Sequence, residues 1–222
     1  MAAKPAFDLT LYLVAGSDVT AGRPLDEVVA AAVRGGVTLV QLREKTRPDA
    51  EIVELARALK DLLGPLDVPL IVNDRVEVAR AAGADGVHLG QDDVDAARAR
   101  AILGPDRLIG VSAGTAAEAA RVDKASADYV GIGSVYATPT KLDAGAPIGV
   151  VGLSALAAAL APLPAVAIGG IGAGNAAEIM ASGAADGIAV VSAICGAEDP
   201  EAAARALRRE IAAGREGVAN RT

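Results

Sequence analysis

A chain of 222 residues, 52% of them hydrophobic, is long enough for one sizeable core. Its apolar residues come in short runs broken by charges, which excludes a membrane span. A net charge of -7, no Trp and one Phe argue against nucleic acid as a partner, because that recognition rests on clustered cations and stacking aromatics.

Taken in chain order, MAAKPAFDLT lacks the apolar h-region of a secretory signal, and the single cysteine can form no internal disulfide. A soluble, cytoplasmic protein is expected. The first strand-like run is LTLYLV (9–14). PLDEVVAAAVRGG follows with apolar residues at helical spacing, Pro24 and acids in its first turn, and Gly35 at its end. VTLVQL (37–42) is the second run, and PDAEIVELARALKDLLG, opened by Pro48 and closed by Gly64, is the second helix. The alternation continues through PLIVN (69–73), DGVHL (85–89), RLIGVS (107–112), DYVGIG (128–133), AVAIGG (165–170) and DGIAVV (186–191). Near-continuous apolar strands imply burial on both faces, and so a parallel sheet with helical crossovers.

Eight such units predict an α/β fold, a single-domain (β/α)8 TIM barrel over 1–222, with the barrel at about 9–213 between short tails. An open doubly wound sheet would more often stop at about five or six strands. The phrase shared by AAGADGVHL, ASADYVGIG and SGAADGIAV reads as one helix-to-strand joint used repeatedly.

In such a barrel the C-terminal strand ends carry the chemistry. The second strand ends in Gln41, Arg43 and Lys45; the third in Asn73 and Asp74; the fourth in Gln91, Asp92 and Asp93; the fifth in Ser112. After the sixth comes a long loop with Thr138, Thr140 and Lys141, of the kind that is usually a lid or binding segment. The seventh ends in Gly169-Gly170-Ile171 and the eighth in Val191-Ser192. Asp74 and Asp93 have the hard oxygen ligands that suit Mg²⁺ together with substrate phosphates. Arg43, Lys45 and Lys141 supply positive charge, Ser112, Thr138 and Thr140 supply hydroxyls, and the two turns supply backbone N–H groups. The mouth reads as built for more than one phosphate.

Simpler roles stand beside these. Asp74 serves equally well as a cap on the helix that follows, and Asp92 and Asp93 are individually placed for the same task. His88 lies between apolar neighbours and is expected to be a hydrogen-bonded core histidine rather than a catalyst. Cys195 lacks a partner base and is expected to be structural.

VQLREKT (40–46), IVNDR (71–75), GADGVHLGQDD (83–93), ATPTK (137–141), VAIGGI (166–171) and VVSAI (190–194), in this order, resemble the thiamine phosphate synthase family. The resemblance runs from Leu11 to about Ala193. It departs from the family's usual pattern where Ser134 follows Gly133 and where Ala-Gly-Thr follows Ser112. It implies the same barrel and a transferase that joins hydroxymethylpyrimidine diphosphate to thiazole phosphate, releasing pyrophosphate. Carried over, Gln41, Arg43, Glu44, Lys45, Asn73, Ser112 and Lys141 would meet the pyrimidine diphosphate, with Ser112 and Lys141 catalytic. Thr138, Pro139, Thr140, Gly170, Val191 and Ser192 would meet the thiazole phosphate, and Asp74 and Asp93 would hold the Mg²⁺ cofactor. The implied partners are these two small molecules, with no nucleic acid and no membrane; a homo-oligomer is compatible with the sequence.

Overall fold

The structure, a computed structural model, describes residues 4–140 and 145–219. Its strands are β1 (Leu11–Ala15), β2 (Leu39–Leu42), β3 (Leu70–Asn73), β4 (Gly86–Leu89), β5 (Leu108–Ala113), β6 (Tyr129–Ile132), β7 (Ala165–Ile168) and β8 (Gly187–Val190). All neighbours pair in parallel, and β8 returns to β1 through Leu11↔Ile188, Tyr12↔Ala189 and Leu13↔Val190, so the barrel closes. The expected (β/α)8 barrel is therefore present.

Outside it run α1 (Leu25–Arg34), α2 (Asp49–Leu63), α3 (Val76–Ala82), α4 (Ala96–Leu103), α5 (Ala116–Arg121), α6 (Gly149–Leu160), α7 (Ala176–Ala181), the single turn α8 (Ser192–Cys195) and α9 (Pro200–Ala219). Pro24 and Pro48 are the N-cap residues of α1 and α2, and Gly35 and Gly64 are their C-caps; at Gly35 a Cβ would lie 2.4 Å from the Glu201 carbonyl oxygen, so glycine lets α1 pack closely on α9. The cap of α4 is Asp95, whose carboxylate accepts from the Arg98 N–H at 2.7 Å, so neither Asp92 nor Asp93 is needed there. Among the described residues no helix is long and apolar enough to cross a membrane.

Strand alternation divides the core in two. One set of side chains, such as Leu11, Leu13 and Ala15 of β1, faces the helices and joins Val28, Ile52, Leu59, Val78 and Leu153 in the outer layer. The opposite set fills the barrel: Tyr12, Leu39, Ile71, Leu108, Tyr129, Val166 and Ala189, with Leu9 beneath. Fully burying a Leu, Ile or Val contributes on the order of 1.5–3 kcal/mol. These layers plug the N-terminal half of the barrel and leave the C-terminal half open.

The repeated joint has a definite geometry. Residues just before the even strands bond reciprocally to the starts of the odd strands. Thr38 Oγ1 accepts from the Leu11 N–H at 3.0 Å while its own N–H donates to the Leu11 carbonyl at 2.9 Å. Asp85 pairs likewise with Leu70, Asp128 with Ile109 and Asp186 with Ala165. The four joints satisfy backbone donors that the ladder leaves open at the barrel floor. Basic side chains support three of them. Lys60 contacts both Asp85 oxygens at 2.7 and 2.6 Å, Arg100 contacts Asp128 at 2.7 Å, and Arg215 donates to the Asp186 carbonyl.

Asp85 is 7% exposed, so Asp85→Ala strands a buried N–H and leaves Lys60 without its carboxylate. A loss of about 2–3 kcal/mol is expected. At this chain length that is a fall of about 6–9 °C in melting temperature. Calorimetry of the parent and the variant checks the size of the loss.

Candidate active site

The open half of the barrel is a cavity of about 720 Å³ to which every strand or the loop after it contributes. Of the residues singled out from the sequence, Gln41, Arg43, Lys45, Asn73, Asp74, Asp93 and Ser112 line one side. Thr138, Pro139, Thr140, Gly170, Val191 and Ser192 line the other. Lys141 lies outside the described residues. Glu44 is absent from the lining. Its carboxylate accepts from the Ser17 N–H and hydroxyl at 2.7 and 2.6 Å and pairs with Arg47 at 3.4 Å. Alternation sends the side chains of 41, 43 and 45 inward and that of 44 outward, where it ties the loop after β1 to the loop after β2.

That second loop is also strapped from β3. Arg75 donates to the Arg47 and Lys45 carbonyls at 2.9 Å each and meets Asp49 at 2.5 Å. The Arg43 N–H extends the pairing with β1 by donating to the Ala15 carbonyl at 2.7 Å. The two cations thus project from an anchored backbone, and a placed charge loses less ordering entropy on meeting a phosphate.

Asp74 sits in the left-handed region at φ 62, which is strained for a residue with a side chain. Its N–H donates to the His88 carbonyl at 2.8 Å, fixing this turn against β4. Asp93 comes from the loop after β4, where its Oδ2 accepts from the Gly90 N–H at 2.7 Å. The two carboxyls meet. Burial, and then the Asp93 carboxylate in hydrogen-bond contact, push the Asp74 carboxyl from 3.8 up to about 6, while Lys45 and Asn73 pull it down. Two acids forced together beside phosphate-binding cations are a pair that could hold a divalent cation. Among the described residues no group of three or more His, Cys, Asp or Glu is placed around a metal; further oxygens for such a shell would come from neutral groups such as Asn73, from water or from a phosphate.

Across the cavity the loop after β6 is fastened at both ends. Val135 and Tyr136 donate to the Ile168 and Gly169 carbonyls, and Ile148 and Gly149 donate back to Ser134 and Val135. Thr138 Oγ1 accepts from the Thr140 N–H at 3.2 Å, shaping the hydroxyl-bearing turn. Gly170, at φ 64, allows the β7 turn to press on this loop: a Cβ there would lie 2.5 Å from the Ala137 carbonyl oxygen. This side offers backbone N–H groups and hydroxyls in place of carboxylates.

Sequence reasoning missed part of the lining. His88 is buried and hydrogen-bonded as expected, yet it also faces the cavity, with Nε2 2.9 Å from Ser112 Oγ and Nδ1 3.1 Å from Tyr129 Oη. Tyr12, which the sequence does not single out, lines it too, as does Gln91 at the end of β4. Gln91 is held between the Ser112 carbonyl at 2.5 Å and Arg121 at 2.7 Å. Strand parity is the missed signal, since His88 alternates with outward-facing Val87 and Leu89. Cys195 is fully buried, and burial pushes its thiol up to about 12, in keeping with a structural role.

The acid pair makes a signed prediction for protein stripped of divalent cations. A carboxyl raised from 3.8 to about 6 contributes stability that is present below 3.8 and lost as pH rises through about 6. Asp93→Asn removes the neighbouring charge but not the burial, so the pKa of Asp74 should fall only part of the way back. In EDTA the variant should melt higher than the parent above pH 6, with the difference closing below pH 3.8. Thermal melts across that window check the sign; equal curves throughout would show that the two carboxyls do not interact.

A family model described as thiamine monophosphate synthase matches residues 11–194. The thiamine-phosphate synthase of Xanthobacter autotrophicus is 55% identical, covering 94% of this chain and 98% of that protein. That of Moorella thermoacetica is 49% identical, over 93% of this chain and 97% of that one. A solved structure of thiamine phosphate pyrophosphorylase from Pyrococcus furiosus superposes with a TM-score of 0.84 at 39% identity, covering 93% of this chain and 97% of that chain. With its closed barrel, its two-sided cavity and this likeness along nearly its whole length, the chain belongs to the thiamine monophosphate synthase family.

Proposed function

We propose that the cavity joins hydroxymethylpyrimidine diphosphate to thiazole phosphate, forming thiamine phosphate and releasing pyrophosphate. Membership of the family makes the chain a transferase of thiamine biosynthesis. The finer reading rests on one observation, the division of the cavity. Arg43, Lys45, Ser112 and the Asp74–Asp93 pair stand on one side, and hydroxyls with Gly-rich turns stand on the other. The more highly charged diphosphate fits the first side and the monophosphate fits the second.

Asp74 and Asp93 are the residues that would hold Mg²⁺, whose charge would relieve their repulsion and help neutralise the diphosphate. Arg43 and Lys45 bind the diphosphate, and Ser112 donates to it. The methylene C–O bond breaks with both electrons leaving on the diphosphate, and the aminopyrimidine ring delocalises the resulting cation. The thiazole nitrogen, held opposite by a phosphate anchored at Thr138, Gly170 and Ser192, then forms the C–N bond with its own lone pair. No protein base is required, because no proton must be removed for the bond to form. The barrel wall keeps water from the cation, and Lys141 is proposed as a further donor to the leaving diphosphate.

Incubation with both substrates, with and without Mg²⁺, should yield thiamine phosphate only when the metal is present; no product under any condition would refute the reading. Ser112→Ala should lower the coupling rate by about 10²–10³, the scale for loss of one preorganised donor to a developing anion. Asp93→Ala should remove most activity and Asp92→Ala far less, since Asp92 is not paired with Asp74.

A further inference from the structure

Four hydrogen bonds run end to end across the waist of the barrel. Gln41 Nε2 donates to Tyr12 Oη at 2.7 Å, and Tyr12 Oη lies 2.8 Å from Tyr129 Oη. Tyr129 Oη lies 3.1 Å from His88 Nδ1, and His88 Nε2 lies 2.9 Å from Ser112 Oγ. The chain joins residues of β2, β1, β6, β4 and β5, and its middle is buried. Space is cleared for it on β5: a Cβ at Gly110 would sit 2.1 Å from the Tyr129 ring and 2.5 Å from His88 Nδ1.

Such a chain has a direction, because each phenol has one proton to give. Burial pushes both phenols well above their ordinary range, so both keep that proton. The amide nitrogen of Gln41 only donates, so Tyr12 accepts there and must give its own proton to Tyr129. Tyr129 then gives its proton to His88 Nδ1. An imidazole that accepts at Nδ1 carries its hydrogen on Nε2 and donates it to Ser112 Oγ. Ser112 Oγ thereby accepts from His88, and its own O–H is left to point into the cavity.

We infer that this chain sets the polarity of the site: Gln41, Tyr12, Tyr129 and His88 act as positioning residues that hold Ser112 as a hydrogen-bond donor toward the leaving diphosphate. The opposite direction would spend the Ser112 proton on His88 Nε2 and leave a serine activated as a nucleophile, which suits a different chemistry. The role assigned to Ser112 rests on the function proposed above; the direction of the chain does not.

The single histidine makes the direction measurable. Nitrogen NMR of the isotopically labelled, ligand-free protein should show neutral His88 with its hydrogen on Nε2, and the Nδ1–H tautomer would overturn the inference. Gln41→Glu replaces the donor that starts the chain with an acceptor, and should switch His88 to the Nδ1–H form; no change of tautomer would also count against the chain. Tyr129→Phe keeps the ring but cuts the chain, and should lower kcat on the order of 10–100-fold, the scale for losing a supporting partner. In a Ser112→Ala background the same change should cost almost nothing further, whereas additive losses would show that Tyr129 acts on packing alone. If the parent protein makes no thiamine phosphate, the functional reading falls while the tautomer still reports on the chain.

Discussion

The contact between Tyr12 and Tyr129 is the constraint on which the rest of the structure depends. Eight strands close around a space that must be filled, and these two rings fill its middle, edge to face at 6.0 Å between centroids. A phenol buried so deeply must also find partners for its hydroxyl. The two hydroxyls satisfy each other at 2.8 Å and then reach Gln41 on one side and His88 on the other. Packing therefore requires polar groups at the boundary between plug and cavity. The apolar floor ends and the polar site begins at the same pair of side chains.

Above that boundary, order is imposed chiefly from outside the cavity. Glu44 and Arg75 never enter the space, yet between them they fasten the loop that carries Arg43 and Lys45. Gln91 does the same for the end of β5, gripping the Ser112 carbonyl. Charged groups held in this way pay little further ordering entropy when a ligand arrives. The arrangement places cations, hydroxyls and backbone N–H groups around one cavity, which suits electrostatic binding of anionic ligands.

Much of this was legible in the sequence because the barrel converts a linear pattern into a place. Once LTLYLV, VTLVQL and their successors are read as strands, whatever follows each one must gather at a single mouth. That is why Gln41, Asp74, Asp93, Ser112 and Ser192, read as strand ends, all line one cavity. Less legible is the direction in which Glu44 and His88 point, because that depends on which face of the strand is inward. Parity along VQLREK and DGVHL contains that information, but an apolar run buried on both faces conceals it. The Tyr12–Tyr129 pair was not legible at all: the residues lie 117 positions apart, and only the closed sheet brings them together.

The strained turn at Asp74 shows how the two ends of the barrel cooperate. A left-handed aspartate costs on the order of 1–3 kcal/mol, and its neighbour Asp93 adds like-charge repulsion in protein free of metal. That turn holds because the pairing of β3 with β4 is pinned at both ends. At the floor, Asp85 accepts from the Leu70 N–H and is itself held by Lys60. At the mouth, the Asp74 N–H donates to the His88 carbonyl. Three paired positions cannot slip in register between two such anchors, so the strain is confined to the turn and cannot relax into the strand. The carboxyl of Asp74 is thereby kept against Asp93, where a cation rather than a backbone shift is the available means of relieving the repulsion.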